Sequence, residues 1–259
     1  MKKIINKMLD SVQGNKKKQS NRQKRSNIGH ILDHIKGIGF HPKTIIDVGI
    51  AYGTAGLYGK YDVVEYLLIE PLIEYEQVCK NIVDEFGGKY IIAAASDKCG
   101  DLTINVHPDL SGSSLFNESE GKYVDGEPRI VECITLDNAC EKEGMSGPYL
   151  IKLDTQGAEL LVLDGAKKIF DNTEVIIMEA FLFQFYKGIP LLYEIIVYMK
   201  EKGFVVYDIF GGINRLLDNA LAQVDLVFVK EKGIFRDSSN FATKEQRQIF
   251  KEERMQHLR

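Results

Sequence analysis

Five short apolar runs dominate the middle of the chain, and each stops at a glycine, an acid or a Ser-Asp pair. They are Thr44–Val48 before Gly49, Val63–Ile69 before Glu70, Tyr90–Ala95 before Ser96-Asp97, Tyr149–Leu153 before Asp154, and Val175–Met178 before Glu179. Apolar runs of this length suit strands buried on both faces, as in a parallel sheet. Helical patterns lie between them, from about Ile73 to Phe86, Glu159 to Phe170 and Leu191 to Lys202. Strands alternating with helices predict an α/β fold, an open twisted sheet with helices on both faces. Two stretches break the alternation. Asp101–His107 and Arg129–Thr135 read as an antiparallel pair at the sheet edge or over the site. Phe204–Ile209 and Val224–Lys230, joined through Gly211-Gly212, read as a terminal antiparallel hairpin.

Charge divides the chain. Residues 1–43 hold 11 Lys/Arg against Asp10 and Asp33, so they carry +9, while the whole chain carries −4. The expected organisation is a basic, helical arm at 1–43, an α/β domain at 44–230 and a charged helical segment at 231–259. Within the arm, Ile4, Ile5, Met8, Leu9 and Val12 fall at helical spacing, and Gly14 to Asn27 is polar and basic. A helix docked on the domain and an anionic surface, lipid or nucleic acid, are both open readings of this stretch. The overall acidic balance argues against a general nucleic-acid binder. No apolar run reaches the roughly 20 residues of a membrane-spanning helix. Four cysteines without CxxC spacing fit a reducing, cytoplasmic setting. His30, Asp33 and His34 have a spacing that can bind a metal. A histidine pair of this kind more often faces solvent, and no metal is expected.

In an open α/β sheet, ligands bind at the carboxyl ends of the strands, where the strand order reverses. The acids that close the runs therefore mark a site. The loop Asp47-Val48-Gly49-Ile50-Ala51-Tyr52-Gly53 is glycine-rich, yet Gly49 and Gly53 lie four apart and do not match the GxGxxG of a pyrophosphate cradle. Glu70 lies 21 residues beyond Gly49, at the end of the second run, where an acid can accept from both hydroxyls of a ribose. Adenosine without pyrophosphate fits these features. S-adenosylmethionine adds a sulfonium and an amino group that suit the acids.

The segment Ile151-Lys152-Leu153-Asp154-Thr155-Gln156-Gly157-Ala158-Glu159-Leu160 resembles the FkbM-type branch of the class I S-adenosylmethionine methyltransferases. Ile69-Glu70-Pro71, Ala94-Ala95-Ser96-Asp97, Gly112-Ser113-Ser114-Leu115, Thr135-Leu136-Asp137 and Gln223 to Val229 support the likeness, which runs from Thr44 to Lys230. The resemblance implies a Rossmann-like sheet of about seven strands whose last hairpin strand is antiparallel. It also implies S-adenosylmethionine as cofactor. Asp47, Gly49, Tyr52 and Gly53 would surround its methionine part, Glu70 the ribose, Ser96 and Asp97 the adenine, and Asp154 the methyl group. Ile50-Ala51 departs from the Ala-Asn common in the family.

Transfer to a hydroxyl gains from a general base. The candidates are Asp154, Glu179 and His107, with Glu159 either facing the site or serving as helix N-terminal charge. Phe181, Phe183, Phe185 and Tyr186 would either line an acceptor pocket or pack in the core. The preferred reading is O-methylation of a saccharide or secondary metabolite. N-methylation, a dinucleotide oxidoreductase and a non-catalytic adapter are the alternatives. The expected partner is a small-molecule or saccharide acceptor and no nucleic acid. Peripheral membrane contact through the arm and a homo-oligomer stay open.

Overall fold

The computed structural model describes residues 25–122 and 124–256. The helix expected at 1–12 and most of the basic stretch after it lie outside these residues. Seven strands form the main sheet: β1 (Thr44–Val48), β2 (Glu65–Glu70), β3 (Lys89–Ile92), β7 (Tyr149–Leu153), β8 (Thr173–Phe181), β9 (Phe204–Asn214) and β10 (Leu221–Lys230). Their order is β3-β2-β1-β7-β8-β10-β9. β10 runs antiparallel to both neighbours, and the other pairs are parallel. The order reverses between β1 and β7, so the open crevice lies at the carboxyl ends of those two strands.

All five residues of β1 and all five of β7 are buried, which explains their unbroken apolar character. Asp47 and Lys152 are the exceptions, and the β1–β7 register sets them opposite each other. Helices cover both faces. On one face α3 (Leu136–Glu143), α4 (Glu159–Asp164) and α5 (Leu192–Glu201) contribute Leu136, Leu163 and Met199 to the core. On the other, α1 (Ile28–Ile38) and α2 (Glu76–Phe86) contribute Leu32, Ile35 and Cys79. α1 lies ahead of the charge boundary at Lys43, yet its apolar stripe is core. Asn27 caps it by accepting from His30 N–H, and Gly39 closes it at φ 103°.

Some elements differ from the sequence expectation. The pair Gly100–Val106 (β5) and Glu127–Ile134 (β6) is antiparallel as expected, but of the two expected places it takes the one over the site: it does not join the main sheet, forms a separate three-stranded one with β4 (Ala94–Ala95), and brings Leu102 and Ile104 to the crevice. The helix expected to Phe170 ends at Asp164, because Gly165 packs its backbone on Ser96, where a Cβ would lie 2.1 Å from the Ser96 carbonyl oxygen. α3 was not anticipated. α6 (Lys244–Gln256) is mostly exposed, as its charge predicts.

Candidate functional site

A cleft of about 490 Å³ opens at the carboxyl edge of the sheet. Its walls come from the loop after β1, the start of the segment after β2, Ala94-Ala95, the Ser111–Leu115 loop, the turn after β7, and Phe210, Gly211 and Asp225.

The first loop is held by its neighbours. Gly49 sits at φ 77°, and a Cβ there would lie 1.9 Å from the Asp154 carbonyl oxygen. Only glycine lets the β1 and β7 loops approach this closely. Ala51 is also left-handed, at φ 44°. Glu70 holds that conformation: its Oε2 accepts from the N–H groups of Ile50 at 2.9 Å and Ala51 at 3.0 Å. Its Oε1 accepts from Leu72 N–H at 3.0 Å. Burial raises the Glu70 pKa, and the three N–H groups oppose the rise. A carboxylate has about four acceptor sites, so one remains for a ligand hydroxyl at the cleft wall. Tyr52 is exposed and meets Tyr75 edge-on at 5.2 Å.

Asp47 lies beneath this loop and is not among the cleft-lining residues. Its Oδ2 accepts from Thr54 Oγ1 at 2.9 Å and Tyr58 Oη at 2.5 Å. Its Oδ1 stands 3.3 Å from Lys152 Nζ, an ion pair without hydrogen-bond alignment. The ammonium instead donates to Gly49 O at 3.1 Å and lies 3.6 Å from Asp154 Oδ2. Burial alone would lower the Lys152 pKa; Asp47 and Asp154 outweigh it, raise the pKa and keep the cation.

Beyond β7 the turn carries Asp154, whose side chain is partly open to solvent and accepts from Gln156 Nε2 at 2.9 Å. Gln156 is left-handed at φ 51°, and its Oε1 accepts from Tyr186 Oη at 3.1 Å. Ser114 Oγ donates to Gln156 O at 2.7 Å, which ties the Ser111–Leu115 loop to this turn. Asp225 faces the same space from β10. Burial and then the charge of Asp154 push its pKa up to about 6, against the pull of Lys152. Gly211 leaves room for it: a Cβ there would lie 2.4 Å from Asp225 Oδ2.

The other candidates fall elsewhere. Glu179 is buried beside the cleft and is not among its lining residues. It accepts from Gln223 Nε2 and, at 3.4 Å, from Gln156 Nε2. Burial, then Asp154, Glu159 and Asp225, push its pKa up to about 9, so it carries a proton at neutral pH. Glu159 turns away from the cleft and caps its own turn, accepting from Thr155 N–H, Thr155 Oγ1 and Gly157 N–H. His107 directly follows β5 of the smaller sheet, its Nε2 3.7 Å from Glu118 Oε1, outside the cleft lining. Ser96 is buried and donates to Asp97 Oδ1 at 3.1 Å; neither lines the cleft, where Ala94 and Ala95 stand instead. Phe181 and Tyr186 pack with Ile189 in a small core. Asp33 accepts from Lys60, and His34 meets Tyr207. Among the described residues no cluster of three or more candidate ligands could hold a metal.

Sequence reasoning overlooked Asp225 as a site residue, the one acid in β10, and the bridging role of Gln156. The cleft floor combines one ammonium, Lys152, with the carboxylates of Asp154 and Asp225, and the buried Asp47 lies just beneath, against the same ammonium. That surplus of negative charge suits a cationic ligand and repels a pyrophosphate.

The family model for the methyltransferase FkbM domain matches residues 47–206. Similar solved structures include a candidate RNA methyltransferase from Pyrococcus horikoshii, 17% identical, with 81% of this chain and 87% of that chain covered and a TM-score of 0.40. A precorrin-6y C5,15-methyltransferase from Geobacter metallireducens is 10% identical over 78% of this chain and 87% of that one, with a TM-score of 0.39. A TehB-like SAM-dependent methyltransferase from Corynebacterium glutamicum is 10% identical over 85% and 96%, with a TM-score of 0.37. No curated protein matches the chain in sequence.

Proposed function

The chain belongs to the FkbM methyltransferase family, and from that premise we propose that it methylates a hydroxyl of a saccharide or secondary metabolite. Methyltransferases of this family use S-adenosylmethionine, which supplies an activated methyl group on a sulfonium. The cleft supports that cofactor on three counts. Its volume lies in the usual range for small-molecule sites. Its floor is rich in carboxylates. Glu70 keeps an acceptor site for a ribose hydroxyl.

In this reading the Gly49–Gly53 loop and Asp154 hold the methionine end, and Glu70 holds the ribose. Lys152 neutralises Asp47 and Asp154 and fixes the two loops against each other. The observation that carries oxygen as the acceptor atom is Asp225. A carboxylate with a pKa of about 6 in the cleft is ionised at neutral pH and still basic enough to take a hydroxyl proton. Asp225 would take that proton, while bound S-adenosylmethionine would supply the methyl group, its carbon–sulfur bond breaking to leave the neutral thioether S-adenosylhomocysteine. Glu179, protonated next to it, cannot serve as base at neutral pH.

The test is methyl incorporation from S-adenosylmethionine into a panel of mono- and oligosaccharides and hydroxylated secondary metabolites, read by mass spectrometry. An O-methyl product supports the proposal. Asp225→Asn should lower kcat by about a hundredfold or more with cofactor affinity retained. The wild-type rate should rise with pH to about 6 and then level off. Products methylated only at nitrogen, or full activity in Asp225→Asn, would contradict it.

A further inference from the structure

The smaller sheet closes one end of the cleft with a largely apolar wall. Leu102 and Ile104 lie two apart on β5 and so share a face; they line the crevice together with Pro71, Leu72, Ala94 and Ala95. Two contacts pin this sheet to the turn Ile73–Tyr75 that follows β2. Ile104 and Val106 share a buried cluster with Leu72 and Tyr75, and Arg129 Nη1 on β6 donates to the Glu74 carboxylate oxygens at 2.8 and 2.9 Å.

Tyr75 is the polar exception in this wall. Its N–H donates to Leu72 O at 3.0 Å, which folds the turn back and brings the side chain to the cleft lining. The residue is only 3% exposed, yet its hydroxyl has no hydrogen-bond partner among the described residues. Tyr52 meets the ring edge-on without closing a hydrogen bond to that hydroxyl. Ser113 Oγ, in the same lining, is already engaged, donating to Leu110 O and accepting from His107 N–H. A buried hydroxyl left unpaired is costly, and one held at a cleft wall is accounted for by a ligand atom that completes it. Burial first, then Tyr52, raises the Tyr75 pKa, so the oxygen keeps its proton and can donate. Ser96 and Asp97, expected at the adenine, bond to each other outside the cleft lining and leave that role open.

We infer, on the reading that the cleft is the methyl-donor site, that Tyr75 holds the adenosine half of the donor: its hydroxyl donates to an acceptor atom of the nucleoside, while the wall of Leu72, Leu102 and Ile104 takes the purine. Recognition of the base then belongs to the added sheet and the turn it pins, and not to the Ser-Asp pair at the end of the third apolar run.

Calorimetry on the full chain tests this with S-adenosylhomocysteine and with 5′-methylthioadenosine, which lacks the amino-acid end; thermal unfolding of the free protein accompanies it. Tyr75→Phe keeps the ring and removes the hydroxyl. It should weaken both ligands by the same factor, about fivefold, and leave the Tm of the free protein unchanged or higher. Tyr61→Phe removes another buried hydroxyl that has no partner among the described residues but lies outside the cleft lining, and both affinities should stay at the wild-type value. Unchanged affinity of Tyr75→Phe for either ligand overturns the inference. A lower Tm of free Tyr75→Phe, which would reveal a partner within the chain, overturns it too, as does an equal loss of affinity in Tyr61→Phe. So does a wild type that binds S-adenosylhomocysteine but not 5′-methylthioadenosine, since the nucleoside half would then carry no hold. A folded wild type that binds neither ligand instead overturns the methyl-donor reading, and the role of Tyr75 falls with it.

Discussion

Asp47 and Lys152 face each other across β1 and β7, and the site hangs on that pair. Both are buried, so each is tolerable only with the other. Lys152→Met removes the cation that sits between Asp47 and Asp154. The expected cost is about 3–5 kcal/mol, the price of an uncompensated buried charge. Asp47→Asn added to that variant should recover part of it, which chemical denaturation of the four proteins of the cycle measures. Additive losses would mean that the pair is not coupled. Glu179 makes a second prediction at this scale. Between its ordinary 4.5 and about 9 the folded protein holds a proton there that the unfolded chain releases. Stability therefore falls as pH rises through that window. Glu179→Gln removes the titration. It should flatten the thermal profile between pH 5 and 9 and raise Tm at pH 8 by roughly 2–4 °C, the effect of about 1 kcal/mol. An unchanged slope would show that Glu179 titrates normally.

At the scale of elements, legibility in the sequence followed burial. β1, β2 and β7 were readable because almost every residue in them is buried, which leaves an apolar run that only a central strand needs. α3 was missed because it buries only Leu136, Ala139 and Cys140 over eight residues. Its caps were the available signal: Thr135 accepts from Asn138 N–H, and Gly144 closes the helix at φ 71°. The overlong α4 had an apolar continuation, Ala166 and Ile169, which is buried without being helical. The pairing of β5 and β6 was readable, but their partner β4 was not, since a two-residue strand leaves no periodicity. α1 carries the element-scale prediction. Leu32 is fully buried against the sheet, although it belongs to the basic end of the chain. Leu32→Ala should cost about 2–5 kcal/mol in urea unfolding. A loss under about 1 kcal/mol would mean that α1 is an appendage and not part of the core.

The whole molecule is a scaffold that brings distant acids to one crevice. Glu70 at the end of β2, Asp154 in the turn after β7 and Asp225 on β10 line one crevice because the strand order reverses between β1 and β7 and β10 returns antiparallel. The strand-end acids were visible one by one in the sequence. Their division of labour was not, because it depends on which side chains turn inward. Glu159 caps its own turn, Glu179 lies buried beside the cleft against Gln223, and His107 follows β5 of the smaller sheet. Among the described residues no helix is long and apolar enough to cross a membrane. The central claim is that this crevice holds the methyl donor, and calorimetry with S-adenosylmethionine on the wild type and on Glu70→Gln tests it most directly. The account predicts one-to-one micromolar binding, competed by S-adenosylhomocysteine and weakened about tenfold or more in the variant. Absence of binding by a wild type shown to be folded by circular dichroism, or equal affinity in Glu70→Gln, would contradict it.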